Sequence, residues 1–160
     1  LFETVWFKGC PICIVAAFFL VFGMALAAHA EESRYVGSDA CAECHEQEYK
    51  NYKQYSKKAH SGRSVKHMAG DLTPEELKEC FECHVTGYGK PGGFVSFEET
   101  PELADAGCES CHGPGYAHVE SGGDSDLIKG KLVLEDCSHC HNAERVEAFD
   151  FKPLIFGGAH

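Results

Sequence analysis

The sequence predicts a small, mostly α-helical domain with long loops and a short β-hairpin, whose core is not made of aliphatic side chains. Three observations lead there. Of the 160 residues, only the first 30 contain a long apolar run. In residues 31–160, Leu, Ile, Val and Phe together number 22 of 130, about 17%, and a chain below about 20% with high net charge ordinarily stays disordered. Against that stand ten Cys and ten His, side chains that hold metals and cofactors. A net charge of −11 without a basic patch argues against a nucleic-acid partner. A single apolar run excludes a polytopic membrane protein.

Residues 1–30 are expected to be a secretory signal peptide. Gly9 to Ala30 carries no formal charge, Ile12 to Ala28 is rich in Ala, Val, Phe and Leu, and the run closes in Ala28-His29-Ala30 before Glu31-Glu32. An apolar run ending in small-x-small is a cleavage signal. Its basic start is weak, since Lys8 is offset by Glu3. The alternative is an uncleaved membrane anchor, because about 20 apolar residues can span a bilayer. Cys10 and Cys13 lie in this segment with no histidine after them. On either reading residues 31–160 form one exported domain. It is periplasmic or extracellular, or else anchored to the inner membrane and facing the periplasm. A membrane contact is expected only if the segment stays uncleaved.

Within that domain, residues 46–60 lack Gly and Pro and place Tyr49, Tyr52 and Tyr55 among Lys, Glu and Gln, which predicts a helix. Thr73-Pro74-Glu75-Glu76 is a capping box with proline at the first helical position, opening a short helix toward Cys80. Lys90-Pro91-Gly92-Gly93 is a turn, and Phe94-Val95-Ser96-Phe97 alternates like a short strand. Thr100-Pro101-Glu102 opens another short helix, Gly113-Pro114-Gly115 breaks any helix there, and residues 121–126 form a polar loop.

All eight cysteines of the exported part obey one pattern. They stand in Cys41-Ala-Glu-Cys44-His45, Cys80-Phe-Glu-Cys83-His84, Cys108-Glu-Ser-Cys111-His112 and Cys137-Ser-His-Cys140-His141. C-x-x-C-H is the attachment site of a c-type haem. Two thiols two residues apart each form a thioether to one edge of the porphyrin, and the next residue supplies an imidazole to the iron. Two zinc Cys₄ sites or a disulfide framework leave the four histidines unexplained. Four covalently bound haem c groups, about one per 32 residues, therefore supply the missing core, as metals and cross-links do in other small domains. The motifs begin at 41, 80, 108 and 137, a spacing too uneven for a repeat array.

Each motif histidine gives one axial ligand, and the sixth position decides function. The spare histidines are His60, His67, His118, His139 and His160. His118 lies six residues after His112 across a Gly-Pro-Gly break, and His60 lies fifteen after His45. Neither link easily puts both its histidines on one iron, so a crossed arrangement is simpler: His118 on the first haem, His60 on the third.

Cys83-His84-Val85-Thr86-Gly87-Tyr88-Gly89, Pro91-Gly92-Gly93-Phe94, the Ala59-His60 pair, and Gly107-Cys108-Glu109-Ser110-Cys111-His112-Gly113-Pro114-Gly115 resemble the tetrahaem cytochrome c-554 family. The resemblance runs from about residue 37 to 142. It implies a small multihaem cytochrome c fold built around four closely stacked haems. It also implies His45 with His118 on haem 1, His60 with His112 on haem 3, and a second haem held only by His84. One family member, from ammonia-oxidising bacteria, takes electrons from hydroxylamine oxidoreductase. This sequence departs from the family in having no histidine between Leu127 and Asp136 and a short segment after the fourth motif. The sixth ligand of haem 4, on His141, stays open among His67, His139 and His160. His67 is equally a candidate for haem 2, and His139 could reach a haem other than its own.

The expected function is electron transfer between redox proteins in respiratory metabolism. The exported part holds 24 acidic and 13 basic side chains, so its partners should present basic docking patches. Two alternatives remain. One is a small-molecule reductase, of nitric oxide for example, at a five-coordinate haem 2 lined by Phe81, Val85 and the 86–97 loop. The other is a homo-oligomeric filament in which a neighbour's His160 or His67 completes haem 4.

Overall fold

The computed structural model describes residues 33–142. The predicted signal segment and His160 lie outside the described residues. Among the described residues the helices are, in order, α1 Ser38–Cys41, α2 Glu46–Tyr55, α3 Ser61–Met68, α4 Pro74–His84, α5 Glu109–His112, α6 Tyr116–Glu120 and α7 Leu134–Ser138. Short 3₁₀ turns stand at Lys57–His60, Ala69–Asp71, Pro101–Leu103 and Ser125–Leu127.

Local chemistry sets most boundaries. Thr73 Oγ1 accepts from Glu76 N at 3.3 Å, and Glu76 Oε2 accepts from Thr73 N at 2.9 Å. This reciprocal box starts α4, and Pro74 costs nothing there because the first N–H has no helical partner. α4 then runs through Cys80 to His84, so the second motif is the last turn of a helix. The helix expected over 46–60 is interrupted. Ser56 is extended (φ −86°, ψ 123°), and its hydroxyl accepts from Lys58 N at 3.3 Å, capping a separate 3₁₀ turn. A serine hydroxyl competing with the helix ladder is the physical cause. At the far end α5 stops at Gly113, whose φ of +81° is left-handed.

The expected β-hairpin does not form, and no strand is present among the described residues. Phe94 N donates to Thr86 O at 3.0 Å, but Val95 N donates to Thr100 Oγ1 at 2.9 Å. Single bonds to two separate segments make no ladder. A strand would send Phe94 and Phe97 to opposite faces. Instead both rings lie against Phe81, with centroids 5.1 and 5.8 Å away. Burying both aromatics on one side outweighs the apparent alternation.

That cluster is the main side-chain core: Val85, Phe94 and Leu103 are buried, with Tyr35, Phe81, Tyr88, Phe97 and Ala104 packed on them. Its small size matches the aliphatic deficit of the sequence. α3 lies directly on the chain at Ala104. A Cβ at Gly62 would stand 1.6 Å from Ala104 O, so only glycine permits the approach. Ser61 Oγ reaches His84 O at 2.8 Å and accepts from Ala106 N at 2.9 Å. Gly62 N donates to Asp105 Oδ1 at 2.9 Å. The end of the second motif is thereby joined to the approach to the third.

Candidate haem-binding centres

Each C-x-x-C-H stretch closes into one helical turn. The histidine N–H donates to the first cysteine's carbonyl at 2.9 Å for His45, 3.1 Å for His112 and 2.8 Å for His141, and His84 ends α4. Residues at i, i+3 and i+4 share one helix face. Two thiols and an imidazole therefore stand together on each turn. The eight cysteines of these turns are all free thiols. Among the described residues no three His, Cys, Asp or Glu side chains converge into a metal cage, so the C-x-x-C pairs do not assemble the Cys₄ sites of the zinc alternative.

The structure brings His45 and His118 together. Their rings are near parallel, at 24°, with centroids 6.4 Å apart. Two imidazoles bonded to one metal, at about 2 Å each, hold their ring centres roughly 6 Å apart, so one iron fits between them. His118 Nδ1 lies 2.8 Å from Asp124 O, and His112 Nδ1 lies 2.7 Å from Lys129 O. A ring nitrogen that donates to a carbonyl leaves Nε2 with its lone pair outward, the state a metal ligand needs. His84 Nδ1 is buried without a hydrogen-bond partner. At His141 burial, then the charge of Lys58, pulls the imidazole's pKa below its ordinary value, which favours the neutral, ligating form. His60, His67 and His139 are exposed: His60 ends a 3₁₀ turn, His67 lies on α3 and His139 follows α7. None of the three stacks on another ring among the described residues. Phe81 and Val85, named for the pocket of the second haem, belong to the core cluster beside that motif.

The motifs meet in pairs. The thiols of Cys41 and Cys108 lie close enough to act on each other, which pushes Cys41 up and Cys108 down. Cys140 is pushed up to about 12, first by burial and then by the charge of Cys83 and a hydrogen bond with it. So the attachment face of the first motif meets that of the third, and the second meets the fourth.

Several side chains that position these turns were not singled out by the sequence. Ser38 Oγ accepts from Cys108 N at 3.1 Å, tying α1 to the third motif. Thr86, 2% exposed, donates its hydroxyl to Asp105 O at 2.6 Å and accepts from Gly107 N at 2.9 Å. Glu109 is equally buried. One signal marks it: the acid in the first two motifs, Glu43 or Glu82, precedes the second cysteine and is exposed, whereas Glu109 follows the first cysteine.

Comparison with known proteins points to one family. Residues 40–113 match the family described as cytochrome c554 and c-prime. The chain is 33% identical over 119 residues to cytochrome c-554 of Nitrosomonas europaea, a match covering 67% of this chain and 48% of that protein. The chain thus spans about half the length of that relative. The fold resembles the reduced state of cytochrome c554 from Nitrosomonas europaea, with a TM-score of 0.54 and 24% identity, over 79% of this chain and 84% of the other. Two thiols and an imidazole on each of four turns fit the cofactor of that family, four covalently bound haem c groups. Among the described residues no helix is long and apolar enough to cross a membrane.

Proposed function

For a chain that belongs to the cytochrome c-554 family, we propose an exported tetrahaem electron carrier that passes electrons between redox proteins in respiratory metabolism. Haem c, when bound, supplies a one-electron redox centre whose potential is set by ligands, burial and nearby charge. The chain's part is attachment and orientation. Cys41 and Cys44, Cys80 and Cys83, Cys108 and Cys111, and Cys137 and Cys140 each attach one haem, and His45, His84, His112 and His141 ligate from the motif side. His118 would complete the ligation of the iron held by His45, and His60 that of the iron held by His112. His67, His139 and His160 are the remaining ligand candidates for the second and fourth irons.

The observation that carries this reading is the set of four helical turns, each presenting Cys, Cys and His on one face, with those faces meeting in pairs. Close approach of the attachment faces suits a short electron wire. The acidic exported part, 24 against 13 basic side chains, suits a partner with a basic docking patch and steers encounter more than it adds affinity.

Intact mass spectrometry tests the attachment: the mature chain should be heavier by four haems, and two or fewer would overturn the reading. Electron paramagnetic resonance tests the ligands. His118→Met and His60→Met should each change one low-spin ferric signal while all four haems stay attached. If both variants keep every wild-type signal, the crossed ligation is wrong. For the partner, the bimolecular electron-transfer rate in stopped flow should fall as the Debye length shrinks from about 30 Å at 0.01 M salt to about 10 Å at 0.1 M.

A further inference from the structure

Glu109 is the one charged side chain that is buried among the described residues, at 2% exposure. Three backbone N–H groups point at its carboxylate. Oε1 accepts from Gly115 N at 2.7 Å and from Val36 N at 3.0 Å. Oε2 accepts from Gly37 N at 2.7 Å, with Val36 N also 3.2 Å away. A cradle made only of donors fits the anion, since a protonated carboxyl would aim its own hydrogen at other hydrogens. Burial lifts the carboxyl above its usual range and the three N–H groups offset only part of that, so the donor geometry is what argues for the anion; no lysine or arginine bears on it. The charge is thus held by dipoles and is not neutralised by a cation. It adjoins Cys108 of the third motif in sequence, and Gly37, which donates to it, accepts from Cys41 Sγ of the first motif at 3.9 Å. It is not among the charges that bear on Cys140 in the other pair.

We propose that Glu109 is a fixed buried charge that holds the haems of the first and third motifs toward their oxidised state, and at the same time latches residues 36–37 onto the third motif. This rests on haem attachment at those two motifs. Oxidised haem iron carries one more positive charge than reduced iron, so a nearby anion favours it, and in a dry interior the effect is little screened. Electrons entering the protein are then biased toward the haems of the second and fourth motifs. Glu43 and Glu82, also inside motifs, are exposed and water screens them.

The test is a spectroelectrochemical titration of the four-haem protein, with its mass checked first. A wild-type chain carrying two haems or fewer would overturn the family-based reading, not this one. In Glu109→Gln, two of the four midpoint potentials should rise, each by at least tenfold in the reduction equilibrium, about 59 mV for one electron. The rise should persist at high salt. Glu82→Gln should leave all four in place. Glu109→Asp keeps the charge but shortens the arm, so it should melt earlier with potentials near wild type. Unchanged potentials in Glu109→Gln, an equal shift of all four, or the same shift in Glu109→Asp would each overturn the proposal. If Glu109→Gln does not take up four haems, Glu109→Met carries the same test of a neutral side chain, and unchanged potentials there overturn the charge proposal.

Discussion

The third and fourth motifs share one pattern and one helical turn, and they are held in different ways. The third is tied to distant parts of the chain. Cys108 N donates to Ser38, 70 residues away, and Glu109 binds Val36 and Gly37. Thr86 bonds to both Asp105 and Gly107 just before it. The fourth is held by its neighbours. Asp136 accepts from Val133 N at 2.9 Å and pairs with Lys129, and Ser138 Oγ donates to Glu135 O at 2.8 Å. Leu127, Val133 and Leu134 around it remain exposed. Its neighbour Lys129 links it to the third motif: the Lys129 N–H donates to His112 O at 3.1 Å, and its carbonyl meets His112 Nδ1. The polypeptide itself positions the third turn, whereas the fourth relies on contact with Cys83 and on the haem it carries. Where a chain lacks aliphatic side chains, buried polar bonds position some haems, and the haems position the rest.

Deleting each attachment site gives the largest effect and can break this contrast outright. Cys137→Ala with Cys140→Ala should remove one haem and leave residues 33–118 resistant to limited proteolysis. Cys108→Ala with Cys111→Ala also removes one haem, but it takes away the group around which Ser38, Thr86 and Glu109 are organised. That variant should lose cooperative unfolding, read by circular dichroism. Equal damage from both would show that the fourth motif is as integral as the third.

A smaller effect is expected at Thr86. Thr86→Val keeps the shape but strands the half-buried Asp105 carbonyl and the Gly107 N–H. Leaving buried partners unsatisfied costs about 1–3 kcal/mol each. Chemical denaturation should therefore show a loss of roughly 2–4 kcal/mol, with the low-spin signals of the first and third haems disturbed before those of the fourth. No loss would mean that water takes over both groups and that the third motif is held less tightly than its hydrogen bonds imply.

How much of this could be read from the sequence depends on how local each cause is. The four motifs, the box at Thr73, the break at Gly113 and the small aliphatic core are written in neighbouring residues or in composition. The interruption at Ser56 was missed because one hydroxyl outweighed a favourable helical stretch. The hairpin was misread because Phe94-Val95-Ser96-Phe97 serves two patterns at once, and only the position of Phe81 decides between them. Glu109 was invisible as a buried charge because its donors come from residues 36, 37 and 115, brought together by folding.

The smallest effect concerns the ion pair beside the fourth motif. Lys129 holds Asp136 and thereby the start of α7. The hydrogen bond from Lys129, then that from Val133 N, holds the Asp136 carboxyl below the usual range. The backbone bonds of Lys129 to His112 do not involve its ammonium, so Lys129→Met should keep them. Solvent-exposed pairs are worth little, and Tm should fall by no more than about 3 °C. The sign of the pH dependence follows from the lowered carboxyl. Its stabilisation is present above the unfolded carboxyl's value and is lost as pH falls through the folded one. The Tm values of wild type and Lys129→Met should therefore converge on acidification, and added salt should narrow the gap at neutral pH. A drop as large as that of Thr86→Val, or a gap indifferent to both pH and salt, would mean that side chains position the fourth turn after all, and the contrast with the third would collapse.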